Sequence, residues 1–128
     1  MKTDIEQLSH KLDSEQMLAF AVLVGSRANG TQHAESDWDI ALCWQPELAG
    51  MDKLAREEML RQSLAHALNV TADKIDLIDL PRSNLAMRAN AAEQGIVLKG
   101  EDTLSWARFL TRTWRELEDF YWEQAHAV

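Results

Sequence analysis

The stretch that most constrains this chain is Leu23 to Leu42, LVGSRANGTQHAESDWDIAL. An apolar run, Ala19 to Val24, leads into Gly25 and Ser26; ten residues follow, and Asp37 and Asp39 then flank Trp38. An apolar run closed by a glycine reads as a strand entering a turn. Period-2 geometry puts Asp37 and Asp39 on one face of a second strand, with Trp38 and Ile40 on the other. Ile40-Ala41-Leu42-Cys43-Trp44 continues that strand into a core. Two carboxylates on one face of a buried strand repel each other and cost desolvation free energy. A divalent cation offsets both effects, and Mg²⁺ is commonly held by one or two carboxylates together with substrate phosphates.

Gly25 and Ser26 supply the second half of such a site. A strand ends there and a helical turn, Arg27-Ala28-Asn29, begins. Glycine lets the backbone approach a phosphate closely. The N–H groups at a helix start attract anions, and the Ser26 hydroxyl adds a donor. Alone, a glycine-serine pair is an ordinary turn and an Asp-x-Asp is a solvated strand end. Combined at this spacing, between apolar strands, they describe a nucleotide–metal site.

Glycine-serine, ten residues, then Asp37-Trp38-Asp39 resembles the signature of the DNA polymerase beta-like nucleotidyltransferase superfamily. The short chain and the run from Gly25 to Gly30 resemble its minimal nucleotidyltransferase (MNT) branch, whose members commonly act as antitoxins to HEPT-domain toxins. The resemblance covers about Ala19 to Gly100; Asn29 departs from it, where the branch often has a basic or small residue. It implies an α/β (α+β) fold, a small mixed β-sheet with flanking helices. It also implies ATP as substrate, two Mg²⁺ ions, and AMP transfer to a tyrosine hydroxyl of a cognate HEPT toxin, as in type VII-like toxin-antitoxin pairs. Asp37 and Asp39 would hold the metals, and Gly25 and Ser26 would grip the β- and γ-phosphates.

Two-metal transfer needs a third carboxylate, and the run Lys74 to Leu80 (KIDLIDL) offers Asp76 and Asp79. Three apart on a strand, they face opposite ways, and periodicity alone does not choose between them. The resemblance favours Asp76, leaving Asp79 as a strand-end residue that caps the turn at Pro81 and Ser83. Arg27 is expected at the triphosphate, where a fixed cation stabilises the leaving pyrophosphate, or else as a surface helix residue. Arg88 is expected in a surface ion pair, and His33 in a solvated loop.

Composition narrows the partners. The net charge of −8 argues against a polynucleotide substrate, because phosphate backbones need a basic surface. No apolar run approaches the roughly 18 residues of a membrane helix, and MKTDIEQLSHKL lacks the apolar centre of a signal peptide. The single Cys43 excludes an internal disulfide and reads as a small core residue. A cytoplasmic protein forming one domain over residues 1–128 is expected.

In order, the patterns predict a helix from Thr3 to about Asp13, with Ile5, Leu8 and Leu12 on one face, and a strand from Met17 to Val24. A second strand spans Trp38 to Trp44. A helix follows from Met51 to Leu68, with an apolar stripe of Leu54, Met59, Leu60, Leu64, Ala67 and Leu68 and a solvated face of Lys53, Arg56, Glu57, Glu58 and Arg61. Lys74 to Leu80 is the third strand. Ser83 is expected to cap a helix that runs to about Gln94, with Gly95 just beyond its end. Ile96 to Leu98 is a short extended segment. The last helix, about residues 103–126, carries a stripe of Leu104, Ala107, Leu110, Trp114, Leu117 and Tyr121. Its further aromatics, Trp106, Phe109, Phe120 and Trp122, exceed what one-sided packing needs and suggest a partner surface.

The relatives that modify antibiotics or polymerise carry an added domain for the second substrate, and this chain is too short for one. The acceptor is therefore expected on another molecule, the HEPT toxin. The rival readings are a binding-only antitoxin that occludes the toxin, and a nucleotidyltransferase for a small molecule or an RNA end.

Overall fold

The two apolar runs on either side of the glycine-serine turn become the middle of a four-stranded sheet. The computed structural model describes residues 3–127; Met1, Lys2 and Val128 of the expected single domain lie outside the described residues. Five α-helices accompany the strands: α1 (Asp4–Asp13), β1 (Leu18–Val24), α2 (Ser26–Asn29), β2 (Trp38–Trp44), α3 (Gly50–Leu68), β3 (Ile75–Asp79), α4 (Leu85–Gln94), β4 (Ile96–Lys99) and α5 (Leu104–Ala125). Short 3₁₀ turns, Ala72–Lys74 and Leu80–Arg82, bracket β3.

The sheet order is β3-β2-β1-β4. β1 runs antiparallel to both β2 and β4, and β2 runs parallel to β3. A parallel pair needs a long crossover, and α3 provides it. All seven residues of β1 are buried because helices cover both faces of the sheet. On one face Leu8 and Leu12 of α1 and Leu60 and Leu64 of α3 meet Leu23, Ile40, Leu42 and Trp44. On the other, Ala91 of α4 and Trp106 and Phe109 of α5 meet Phe20, Val22, Val24 and Ala41. A register shift between Leu18 and Phe20 changes which side chains face each layer, so Ala19 and Phe20 both join the second. Phe20 packs edge-on to Trp106, with ring centroids 5.0 Å apart.

Side chains define the helix starts. Thr3 accepts from the Glu6 amide at 3.1 Å, Thr103 from Trp106 at 3.2 Å, and Asn84 from Met87 at 2.9 Å. The cap of α4 is thus Asn84, not the expected Ser83, whose hydroxyl instead donates to the Asp79 carbonyl at 2.9 Å. Gly95 follows α4, as expected, at an ordinary φ of −73°. It is glycine for space: a Cβ would stand 2.3 Å from Val22 Cγ1.

The apolar stripes on the long helices fall differently from the sequence pattern. On α3, Leu60, Leu64 and Ala65 are buried while Leu54 and Met59 face solvent. On α5 the buried face is Trp106, Phe109 and Thr113; Leu104, Trp114 and Tyr121 of the expected stripe are exposed. Phe120 and Trp122 are exposed as well. Arg88 does form an ion pair, with Glu116, but its guanidinium is buried between α4 and α5, where Nε also donates to the Ser83 carbonyl at 3.2 Å.

Candidate active site

The parallel pairing of β2 and β3 sets Asp39 directly beside Asp76. On its other side Asp39 pairs with Val24, the last residue of β1, so Gly25 leaves the sheet just at the carboxylates. Gly25 takes a φ of +75°, and a Cβ there would lie 2.3 Å from Asp39 Oδ2. Glycine is required on both counts: the backbone is left-handed and the carboxylate fills the space. The one-turn helix α2 starts at Ser26, so backbone N–H groups without helical acceptors gather next to the same carboxylate.

Asp39 is half-buried, and burial, then the charges of Asp76 and Asp37, push its carboxyl above the ordinary carboxylate range. Asp39 and Asp76 also lie within hydrogen-bonding reach of each other. Asp37 precedes β2 and is exposed, as is Asp76. The structure therefore brings Asp39 and Asp76 together, with the charge of Asp37 acting on Asp39. Among the described residues, no three His, Cys, Asp or Glu side chains stand in a metal-ligating group. The Asp39–Asp76 pair nonetheless fits a hard divalent ion in kind: all-oxygen donors, crowded like charges, and a raised carboxyl that a cation would bring down.

A cavity of about 220 Å³ opens over this pair, lined by Val24, Gly25, Asp39, Asp76, Ile78, Met87 and Asn90. Gly25 and Asn90 also line a wider cleft of about 420 Å³ between α2, α4 and the end of α5, together with Asn29, Glu93 and Tyr121 among others.

Residues 6–104 match the family described as Polymerase beta, Nucleotidyltransferase. The chain belongs to that family. A protein adenylyltransferase MntA from Shewanella oneidensis is 38% identical over 88 residues, 69% of this chain and 58% of that relative, so the match spans little over half of the relative's length. A solved toxin-antitoxin structure with AMP-PNP is similar at a TM-score of 0.70 and 29% identity, covering 96% of this chain and 94% of that one. A solved Shewanella oneidensis complex, a tri-AMPylated HEPN toxin with an MNT antitoxin, matches at a TM-score of 0.62 and 25% identity over 94% of this chain and 93% of that one. The fold is that of the family: a mixed four-stranded sheet flanked by helices.

Within this nucleotidyltransferase fold the remaining candidates fall into different places. Asp79 turns away from the carboxylate pair, and its side chain meets Lys53 of α3 at 2.6 Å. The turn at Pro81 is held by its backbone carbonyl, not by its carboxylate. Arg27 reaches the carbonyls of the loop ahead of Asp37 and lies over Trp38, whose ring sits in the α1/α3 layer. His33 is exposed in that loop, as expected. Cys43 is partly buried, and burial pushes its thiol up, so it stays protonated and unreactive at neutral pH. Met87 and Asn90 are cavity residues that sequence reasoning did not single out. Their only signal is the i, i+3 spacing on α4, which the apolar pattern does not mark.

Proposed function

We propose that this chain is a Mg²⁺-dependent adenylyltransferase that moves AMP from ATP to a tyrosine hydroxyl of a HEPT-domain toxin, and that it is the toxin's antitoxin. The observation that carries this is the side-by-side register of Asp39 and Asp76 against the Gly25 turn. Two unneutralised carboxylates beside a turn with room for a phosphate support a metal–nucleotide site. The MntA relative and the AMPylated toxin complex support the choice of AMP as the group and a toxin as the acceptor.

In this reading Asp37, Asp39 and Asp76 hold the divalent ions, and Gly25 and Ser26 bind the β- and γ-phosphates through backbone N–H groups and the hydroxyl. Bound Mg²⁺ would supply charge neutralisation at the phosphates and acidify the acceptor hydroxyl. The acceptor oxygen forms its bond to the α-phosphorus, the bond to the β-phosphate oxygen breaks in line, and pyrophosphate leaves. Asp76, more exposed than Asp39, takes up the hydroxyl proton and passes it to solvent. Positioning and charge stabilisation supply most of the rate. The wider cleft beside Tyr121 gives the toxin segment a route to the carboxylates. In this reading the reaction takes place in the cytoplasm, where ATP is available.

The test is to incubate the chain with a candidate HEPT toxin, ATP and Mg²⁺, and then weigh the toxin. Addition of AMP units by substoichiometric antitoxin, leaving a toxin inactive after separation, is expected. An unmodified toxin that Asp37→Asn still neutralises fully would establish the binding-only antitoxin instead.

A further inference from the structure

Ten residues separate the phosphate-side Ser26 from Asp37; the first three complete α2, and residues 30–36 form a loop in which all but Ser36 are exposed. Arg27 secures that loop from the first turn of α2. Its Nε donates to the Ser36 carbonyl at 3.2 Å, and Nη2 donates to the Ser36 carbonyl at 2.9 Å and to the His33 carbonyl at 3.4 Å. The guanidinium carbon stands 4.1 Å above the centre of the Trp38 ring, and Trp38 is only 6% exposed. Ser36 and Trp38 are the residues on either side of Asp37. The loop is fastened again from the 3₁₀ turn before β3: Lys74 Nζ donates to the Glu35 carbonyl at 3.3 Å and pairs with its carboxylate at 3.5 Å.

We infer that Arg27 is a positioning residue for Asp37 and not a ligand of the nucleotide. Its planar fork and its stacking on a buried ring lock the peptide before Asp37 to the first turn after Gly25. Phosphate turn and first carboxylate thus move as one unit, and Lys74 extends the unit to the strand that carries Asp76. A lysine cannot reproduce this, because an ammonium offers neither the paired donors nor the flat face. The kinetic part of the inference rests on the AMP-transfer reading; the structural part does not.

The test compares Arg27→Lys and Arg27→Ala with the unchanged protein by amide hydrogen exchange and by kinetics of toxin modification. Positioning predicts that residues 31–38 exchange about tenfold faster or more in both variants, with β1 and β4 unaltered. It predicts a fall of about tenfold to a hundredfold in kcat while the KM for ATP stays within about threefold. Loop exchange at the original rate in both variants, or a raised KM for ATP with kcat kept, would overturn it. If the alanine variant does not fold, the lysine variant decides by the same two readings. If the unchanged protein transfers nothing, hydrogen exchange still decides the structural claim.

Discussion

Asp76 and Asp79 stand three residues apart on β3 and meet opposite surroundings. Asp76 lies in register with Asp39, two like charges side by side. Asp79, in register with Leu42, is answered by Lys53 at 2.6 Å. At one end of the β2–β3 pair the fold supplies a counter-charge from α3; at the other it crowds carboxylates and raises the carboxyl of Asp39. A cluster that folding leaves unneutralised, beside a glycine that admits a close backbone approach, is where binding free energy from outside the chain is used.

The largest effect expected from that contrast is catalytic. Asp76→Asn should lower toxin modification by about a hundredfold or more, because in the proposed mechanism Asp76 would hold an ion that lowers the barrier by several kcal/mol. Asp79→Asn should leave modification near that of the unchanged chain. Equal losses from both, measured by toxin mass against time, would break the comparison. The next effect is on stability and runs the other way. Asp79→Asn leaves Lys53 partly buried without its partner and should cost about 1–2 kcal/mol in urea unfolding, whereas Asp76→Asn relieves repulsion and should not destabilise the metal-free protein. A buried polar group elsewhere sharpens the point. Thr113 Oγ1, on the interior face of α5, is the one buried side-chain polar atom without a partner among the described residues. Away from the carboxylates, such an orphan has no use in transfer, so Thr113→Val should add about 1 kcal/mol of stability and keep activity.

The gentlest effect is a slope with pH. The folded-state carboxyl of Asp39 is raised above its unfolded value, so the folded state holds its proton longer. Stability of the metal-free protein should therefore fall as pH rises from the ordinary carboxylate range through the raised value. Asp39→Asn should remove that part of the slope, and saturating Mg²⁺ should reverse it. Unfolding midpoints across the acidic range, with and without the ion, check the sign.

Much of this site is legible in the sequence because it depends on neighbours along the chain. β2 spans Trp38–Trp44, as the pattern indicates, and β1 starts one residue later than expected, since apolar runs ended by a glycine or a loop leave little choice. The pairing of Asp39 with Asp76 is not legible: period 2 separates Asp76 from Asp79, but only the parallel register shows which one meets Asp39. Long polar side chains were the other blind spot. Lys53, Glu57 and Arg61 of α3 read as a solvated face, yet they reach Asp79, the Trp44 ring nitrogen and the Ile75 carbonyl. Arg27 is a further case: the pattern gives the position of its Cα and not the reach of its guanidinium to the Ser36 carbonyl. On α5 apolar residues occur on several faces, and periodicity does not state which face the sheet covers; Trp106 and Phe109 won over Leu104 and Trp114.

The account's central claim is that this chain transfers the nucleotidyl group. The most direct measurement follows label from ATP into the toxin, using ATP labelled at the α-phosphate in one reaction and at the γ-phosphate in another. The account predicts α-label in the toxin, γ-label in pyrophosphate, and neither transfer with Asp39→Asn. Label from the γ-position in the toxin, or α-label transferred equally well by Asp39→Asn, would contradict it.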